Sequence, residues 1–230
     1  MEMSPAEWTA ILLSLRVAAV ATVVATPLGI ALAWLLARRD FWGKSALDAA
    51  IHLPLVLPPV VTGYLLLLSF GRHGPVGGFL ADHLGIVFAF RWTGAALACG
   101  VMSFPLLVRP IRLSIEAVDQ RLEQASATLG AAPWQVFATV TLPLALPGIL
   151  AGMVLGFAKA IGEFGATITF VSNIPGETQT ISSAIYSLIQ TPDGDTAALR
   201  LVVISIVIAT SALIGSEWFA RRATRRLHGN

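Results

Sequence analysis

Charge is scarce in this sequence. Asp, Glu, Lys and Arg make up 12% of its 230 residues, about half of what a soluble domain carries. That shortage excludes a single water-soluble core wrapped in a solvated shell. Cysteine is almost missing: Cys99 stands alone inside an apolar run, so no intrachain disulfide can form. The formal net charge of +2 is too small for a nucleic-acid surface. The four histidines, at 52, 73, 83 and 228, show no metal-ligand spacing. No alternating segments of about ten residues recur, which excludes a transmembrane barrel. What is abundant is apolar: 56% hydrophobic residues, with a mean hydropathy of +0.77. These values describe a polytopic all-α membrane protein.

The first residues, MEMSPAEW, lack a basic n-region, so a cleaved signal peptide is not expected. Ser4, Pro5 and Glu7 instead spell a helix start, with Ser as N-cap, Pro at the first position and Glu closing a capping box. Five stretches are long and apolar enough to cross a bilayer, or nearly so: 17–37, 53–70, 93–108, 142–158 and 201–216. Ten of the fifteen basic residues cluster after the first, third and fifth of them: Arg38, Arg39 and Lys44; Arg109, Arg112 and Arg121; Arg221, Arg222, Arg225 and Arg226. By the positive-inside rule these three regions are cytoplasmic, the N-terminus is outside and the C-terminus inside. The stretch 163–199 holds four acidic residues and no basic one, as an external loop permits. Turn signals at Pro175-Gly176 and Pro192-Asp193-Gly194 flank a helical pattern over 180–189, expected to lie at the outer surface. Prolines at 27, 54, 58, 59, 105, 143 and 147 interrupt the spans, and each frees a carbonyl and bends an axis. Gly152 and Gly156 form a G-x-x-x-G step suited to close helix approach.

One block is out of keeping with its neighbours. LEQASATLGAAPWQVFATVTLPLALPG, residues 122–148, carries a charge, hydroxyls, two glycines and three prolines between stretches fit for lipid. Apolar spacing predicts a helix over 112–129, ended by Gly130 as C-cap, with a second short helix opened by Pro133. The block is cytoplasmic by the charge count, and its small residues suit a close protein contact better than headgroup contact.

Glu123, Ala125, Gly130, Val140, Leu142 and Pro143 follow the pattern E-A-A-x3-G-x9-I-x-L-P, with Gln124 at the first alanine and Val140 at the isoleucine. On these residues the chain resembles the permease subunits of ATP-binding-cassette importers. HLPLVLPPVVTGYLLL (52–67) and GEFGATITFVSNIPGETQTISSAIYSLIQTP (162–192) narrow the resemblance to the molybdate and sulfate permeases of that family. The short chain and the SNIPGETQTI run favour the molybdate members. The resemblance covers nearly the whole chain. It implies a MetI-like permease fold, one permease domain over 1–230 in the bacterial inner membrane, a cytoplasmic coupling loop at about 109–142 and an external loop at about 163–199. It also implies a homodimer, two cytoplasmic ATPase subunits that bind the ATP and Mg, and an external oxyanion-binding protein. No cofactor or metal belongs to the chain itself. Sulfate, thiosulfate or tungstate are the alternative cargoes.

Little in the chain suggests an enzyme. Gly43-Lys44-Ser45 lacks the glycine that a phosphate-binding loop needs five residues earlier, where Arg38 stands. A membrane-embedded enzyme would need catalytic polar groups at depth, and only Lys159 and Glu163 approach that, near a span edge. Four residues apart, they share a helix face. As a pair they suit either a weakly attractive passage for an anion or a structural tie at the helix end. With Thr167 and Asn173 they form the expected pathway or outer-gate set.

Overall fold

A computed structural model describes residues 3–227, with the side chains of 216–227 outside that description. The basic residues Arg221, Arg222, Arg225 and Arg226 therefore lie beyond the described side chains, and His228 beyond the described residues. Helix α1 runs Pro5–Arg38. Its start is the expected capping box: Ser4 N–H donates to Glu7 Oε2 at 2.6 Å and Glu7 N–H donates to Ser4 Oγ at 3.2 Å. Helix α2 is Lys44–Val56, α3 Pro59–Phe70, α4 Pro75–Leu84 and α5 Trp92–Glu116. Helix α6 covers Gln120–Thr128 and α7 Pro133–Val136, followed by a π-helical turn at Phe137–Thr141. Helix α8 is Leu142–Ile161, α9 Gly165–Val171, α10 Ile181–Leu188 and α11 Asp195–Leu227.

Two expectations need correction and one is sharpened. The proline-interrupted stretch 53–70 is bent as expected, with α2 and α3 meeting at 115°. Leu57 and Pro58 each precede a proline, which forces extended backbone (ψ 144° and 134°) and ends the helix there. The helix expected over 112–129 is interrupted, because α5 ends at Glu116 and Asp119 opens α6 by accepting from the Arg121 N–H at 2.9 Å. The helix opened by Pro133 is not separate and short. It continues through the π turn into α8, giving an apolar run over Pro133–Ile161. Two helices went unanticipated, α4 and α9. The helix expected over 180–189 exists as α10, with Ile181 and Ala184 buried against Ala10 and Ile11 of α1 and Leu201 of α11. It is thus packed into the bundle, and only Tyr186 and Ile189 remain open.

Among the described residues four helices are long and apolar enough to cross a membrane, and the bent pair makes a fifth crossing. Contacts between the helices settle how α2 and α3 must run. Arg16 of α1 stacks on Trp92, the first residue of α5, at 3.7 Å. At the other end Arg38 of α1 reaches Glu123, just past α5. Helices α1 and α5 are therefore parallel, and the chain between them has to return across the membrane as a broken span. Helix α8 is antiparallel to α5: Ser114 donates to the Ala145 carbonyl at one end and Cys99 to the Ala160 carbonyl at the other. Arg200, near the start of α11, meets Glu7 at 2.9 Å at the outer end. Five crossings with the N-terminus outside follow. The uncharged run between Arg16 and Arg38 spans about 33 Å of helix, close to the roughly 30 Å hydrocarbon core.

The core is the α1–α5–α8 interface. An outer cluster gathers Val17, Ala21, Ala95, Met102 and Phe170, and an inner one Leu36, Leu107, Ile111, Ile115 and Ile149. Small residues permit this closeness. A Cβ at Gly152 would stand 2.5 Å from the Leu107 carbonyl oxygen, and one at Gly156 would sit 3.5 Å from the Leu107 side chain. The G-x-x-x-G step thus faces α5 within the same chain.

Candidate functional site: the cytoplasmic loop and the outer pair

The cytoplasmic loop is built around Glu123. Arg38 Nε lies 3.1 Å from its Oε2, and Arg38 Nη2 donates to Oε1 at 3.2 Å. The same Nη2 donates to the Val118 carbonyl at 3.0 Å. Thr141, last residue of the π turn, donates its hydroxyl to Glu123 Oε1 at 2.6 Å. The pair is mostly hidden, with side-chain exposures of 9% for Arg38 and 17% for Glu123. One carboxylate thus ties the end of α1, the α5–α6 turn and the entry to α8. A π turn carries an extra residue per turn and is a common functional device; here it ends on the hydroxyl that Glu123 needs. Trp34 packs edge-on against Phe137 at 6.0 Å, closing the same corner.

The outward face of the loop is different. Gln124, Ala125, Ala127 and Gly130 are exposed. Leu129 is 89% exposed and Trp134 70%, which is far more apolar surface than a solvated turn normally shows. Gly130 has φ +91° with open space around it, so the left-handed turn between α6 and α7 requires glycine there. Val140 is half-buried in the π turn, Leu142 packs on the inner core and Pro143 sits in the first turn of α8. The six loop residues therefore divide: Glu123 turns inward, Ala125 and Gly130 outward, and the last three belong to the membrane helix. The spacing needs refinement too. Counted back from Gly130, the glutamate position of the E-A-A-x3-G pattern falls on Gln124, which is exposed, and Glu123 is its inward neighbour.

At the outer end, Lys159 and Glu163 meet as their spacing requires, Nζ to Oε2 at 2.8 Å. Glu163 is 1% exposed while the Lys159 side chain is 31% exposed. The other carboxylate oxygen accepts the Ala166 N–H at 3.0 Å, so Glu163 fixes the first turn of α9. Thr167 donates to the Phe164 carbonyl at 2.8 Å within that turn. Asn173 does not join the group. Its Nδ2 donates to Ser187 Oγ of α10 at 2.7 Å, and its Oδ1 is buried without a partner. Of the four expected pathway residues the fold brings three together, in an arrangement that builds α9.

Sequence reasoning missed Arg38 and Thr141 as members of the loop site. Arg38 ends the uncharged run that follows Arg16 and reads as an ordinary positive-inside residue; its partner is 85 positions away. Thr141 stands two residues before Pro143 in the loop pattern, a proximity that gave the only available hint.

Five crossings and a cytoplasmic helix–turn–helix tied to two of them fit a membrane transport subunit. The chain belongs to the family described as binding-protein-dependent transport system inner membrane component, which matches residues 25–225. It is 61% identical over 96% of both chains to the Escherichia coli (strain K12) molybdenum transport system permease protein ModB. It is 56% identical, again over 96% of both chains, to the Haemophilus influenzae protein of the same name. In fold it is similar to a chain of a bacterial alginate ABC transporter crystallised with an alginate pentasaccharide-bound periplasmic protein. That likeness has a TM-score of 0.75 at 19% identity, covering 96% of this chain and 81% of that one.

Proposed function

We propose that this chain is the membrane-spanning subunit of an ATP-driven importer and carries molybdate across the inner membrane. The observation that carries this reading is the 61% identity, over 96% of both chains, to a permease named for molybdenum transport. Residues 1–230 form one permease domain, with a cytoplasmic coupling segment over about 109–142 and an external segment over about 163–199. Two copies of the chain enclose the passage. Two cytoplasmic ATPase subunits bind ATP and Mg and supply the hydrolysis, and an external oxyanion-binding protein delivers the cargo.

The loop geometry supports a mechanical role for the coupling segment. Leu129, Gly130 and Trp134 present the contact to the ATPase. Arg38, Glu123 and Thr141 stand behind that contact and attach it to α1 and α8. A displacement of the tip is then borne by two membrane helices at once, as a bistable packed element requires. ATP draws the two coupling segments together and opens the passage outward; hydrolysis and release return it inward. At the outer end Lys159 offers a partly open ammonium to a dianion while Glu163 cancels part of its charge, which favours passage over tight binding.

The test is uptake of labelled molybdate into proteoliposomes holding the chain with its co-expressed ATPase, supplied with the purified binding protein. ATP-dependent uptake that sulfate does not displace is the expected result. A chain that captures no ATPase ends the reading. Gly130→Trp is expected to abolish ATPase capture while membrane insertion stays normal.

A further inference from the structure

A carbon-lined cavity of about 590 Å³ opens between α1, α2 and α5. Its walls include Val20, Val24 and Leu28 of α1 and Leu97 and Phe104 of α5, and Pro54 of α2 closes one end. Small residues, among them Ala21 and Gly100, leave the space. Its depth is set by the charges of α1. Arg16 marks the outer edge of the hydrocarbon and Arg38 the inner, so Leu28 lies near the midplane and Val20 about 6 Å below Arg16. From Thr93 to Phe104 the groove extends about 16 Å along α5, the thickness of one leaflet's acyl layer, about 15 Å.

A more polar cavity lies beside this groove. Phe88 and Thr93 also line a second cavity of about 410 Å³, whose wall carries Arg91, Trp92 and Glu177. Arg91 and Glu177 are exposed. Arg16 lies over the ring of Trp92, one of the wall residues, at 3.7 Å. An apolar slot one leaflet deep therefore adjoins, across Phe88 and Thr93, a chamber whose wall bears Arg91 and Glu177.

We infer that these adjoining cavities bind a glycerophospholipid of the outer leaflet, with one acyl chain between α1 and α5 and its phosphate at Arg91. Arginine supplies the planar donors that a phosphate accepts. Glu177 on the same wall favours a headgroup that also carries an ammonium, so a phosphoethanolamine head satisfies both signs of charge. A phosphoglycerol head leaves Glu177 facing an anion. The lipid fills the space that small residues leave between α1 and α5.

Native mass spectrometry of the full detergent-solubilised chain, titrated with phosphatidylethanolamine or phosphatidylglycerol, tests this. The unaltered chain is expected to retain one phosphatidylethanolamine through activation that strips detergent, and to hold phosphatidylglycerol less well. Arg91→Gln removes a charge-assisted contact at an exposed position and should lower retention about tenfold. Gly100→Leu fills the slot, since the nearest atoms to a Cβ there, on Ala21, are 3.9 Å away; it should abolish retention without loss of thermal stability. Glu177→Gln should keep binding but erase the preference between headgroups. Equal retention in Arg91→Gln and Gly100→Leu overturns the site. So does a Leu97→Cys chain that cross-links efficiently to a second copy, because the groove would then be a face between chains.

Discussion

Two buried ion pairs sit at opposite ends of this molecule, and they do different work. At the cytoplasmic end, Glu123 binds groups that are 85 and 18 residues away. At the outer end, Glu163 binds Lys159 and the Ala166 N–H, four and three residues away. The first carboxylate joins elements far apart in the chain, beside the Trp34–Phe137 contact at the same corner. The second shapes one turn. A similar donor set therefore yields a tertiary latch in one place and a helix start in the other. The contact distance in sequence, more than the burial, decides which part of the protein feels its loss.

The sharpest way to break this comparison is at Arg38. Arg38→Met leaves the Glu123 carboxylate in a mostly closed site with only Thr141, an expected cost of about 3 kcal/mol. The loss should appear as a lower melting temperature in detergent and as uptake that no longer responds to ATP. The double variant Arg38→Met with Glu123→Leu removes both charges and should recover most of the stability. If the latch transmits motion, uptake stays lost in that double variant; recovered uptake would mean that the pair only holds the fold.

Lys159→Met is the outer counterpart and leaves a carboxylate that is 1% exposed with only the Ala166 N–H, an expected cost of about 3 kcal/mol, comparable to that at Arg38. Its effect is expected to stay local. Amide exchange should accelerate through α9 and leave the cytoplasmic loop unchanged. Acceleration at both ends would erase the distinction between the two pairs. Thr141→Val deletes a single hydroxyl contact to Glu123, about 1 kcal/mol. It should weaken ATP coupling more than it lowers the melting temperature. The smallest effect belongs to the N-terminal cap, which neither pair touches: Ser4→Ala should cost about 0.5–1 kcal/mol, read as faster exchange in the first turn of α1 with uptake unchanged.

Local order was legible wherever neighbouring residues settle it. The capping box at Ser4 and Glu7, the glycine turn at 130, the Lys159–Glu163 contact and the helix near 181–188 all depend on residues within about one or two turns of each other. The failures share a cause. The prolines at 58 and 59 marked an interruption, but neither the 115° angle nor the start of α2 at Lys44 could be read from them. Helix α9 is too short and too polar at its start for periodicity to reveal. The inward turn of Glu123 depends on the rotation of α6 relative to α1, which no motif records. The same holds for Asn173, grouped with Lys159 on sequence proximity and found instead against Ser187.

The sequence by itself determined that this is a five-crossing membrane chain, which way it faces, and that residues 122–148 interrupt it on the cytoplasmic side. Hydrocarbon thickness, the cost of burying charge and the bias of Lys and Arg are properties of the solvent and act on any chain of this composition. The tertiary structure alone decided which residues serve the interruption. It placed Arg38 and Thr141 behind Glu123, turned Leu129 and Trp134 outward and bent α2 against α3. Those outcomes depend on how parallel helices rotate to bury small residues against one another, and that rotation is set jointly by α1, α5 and α8.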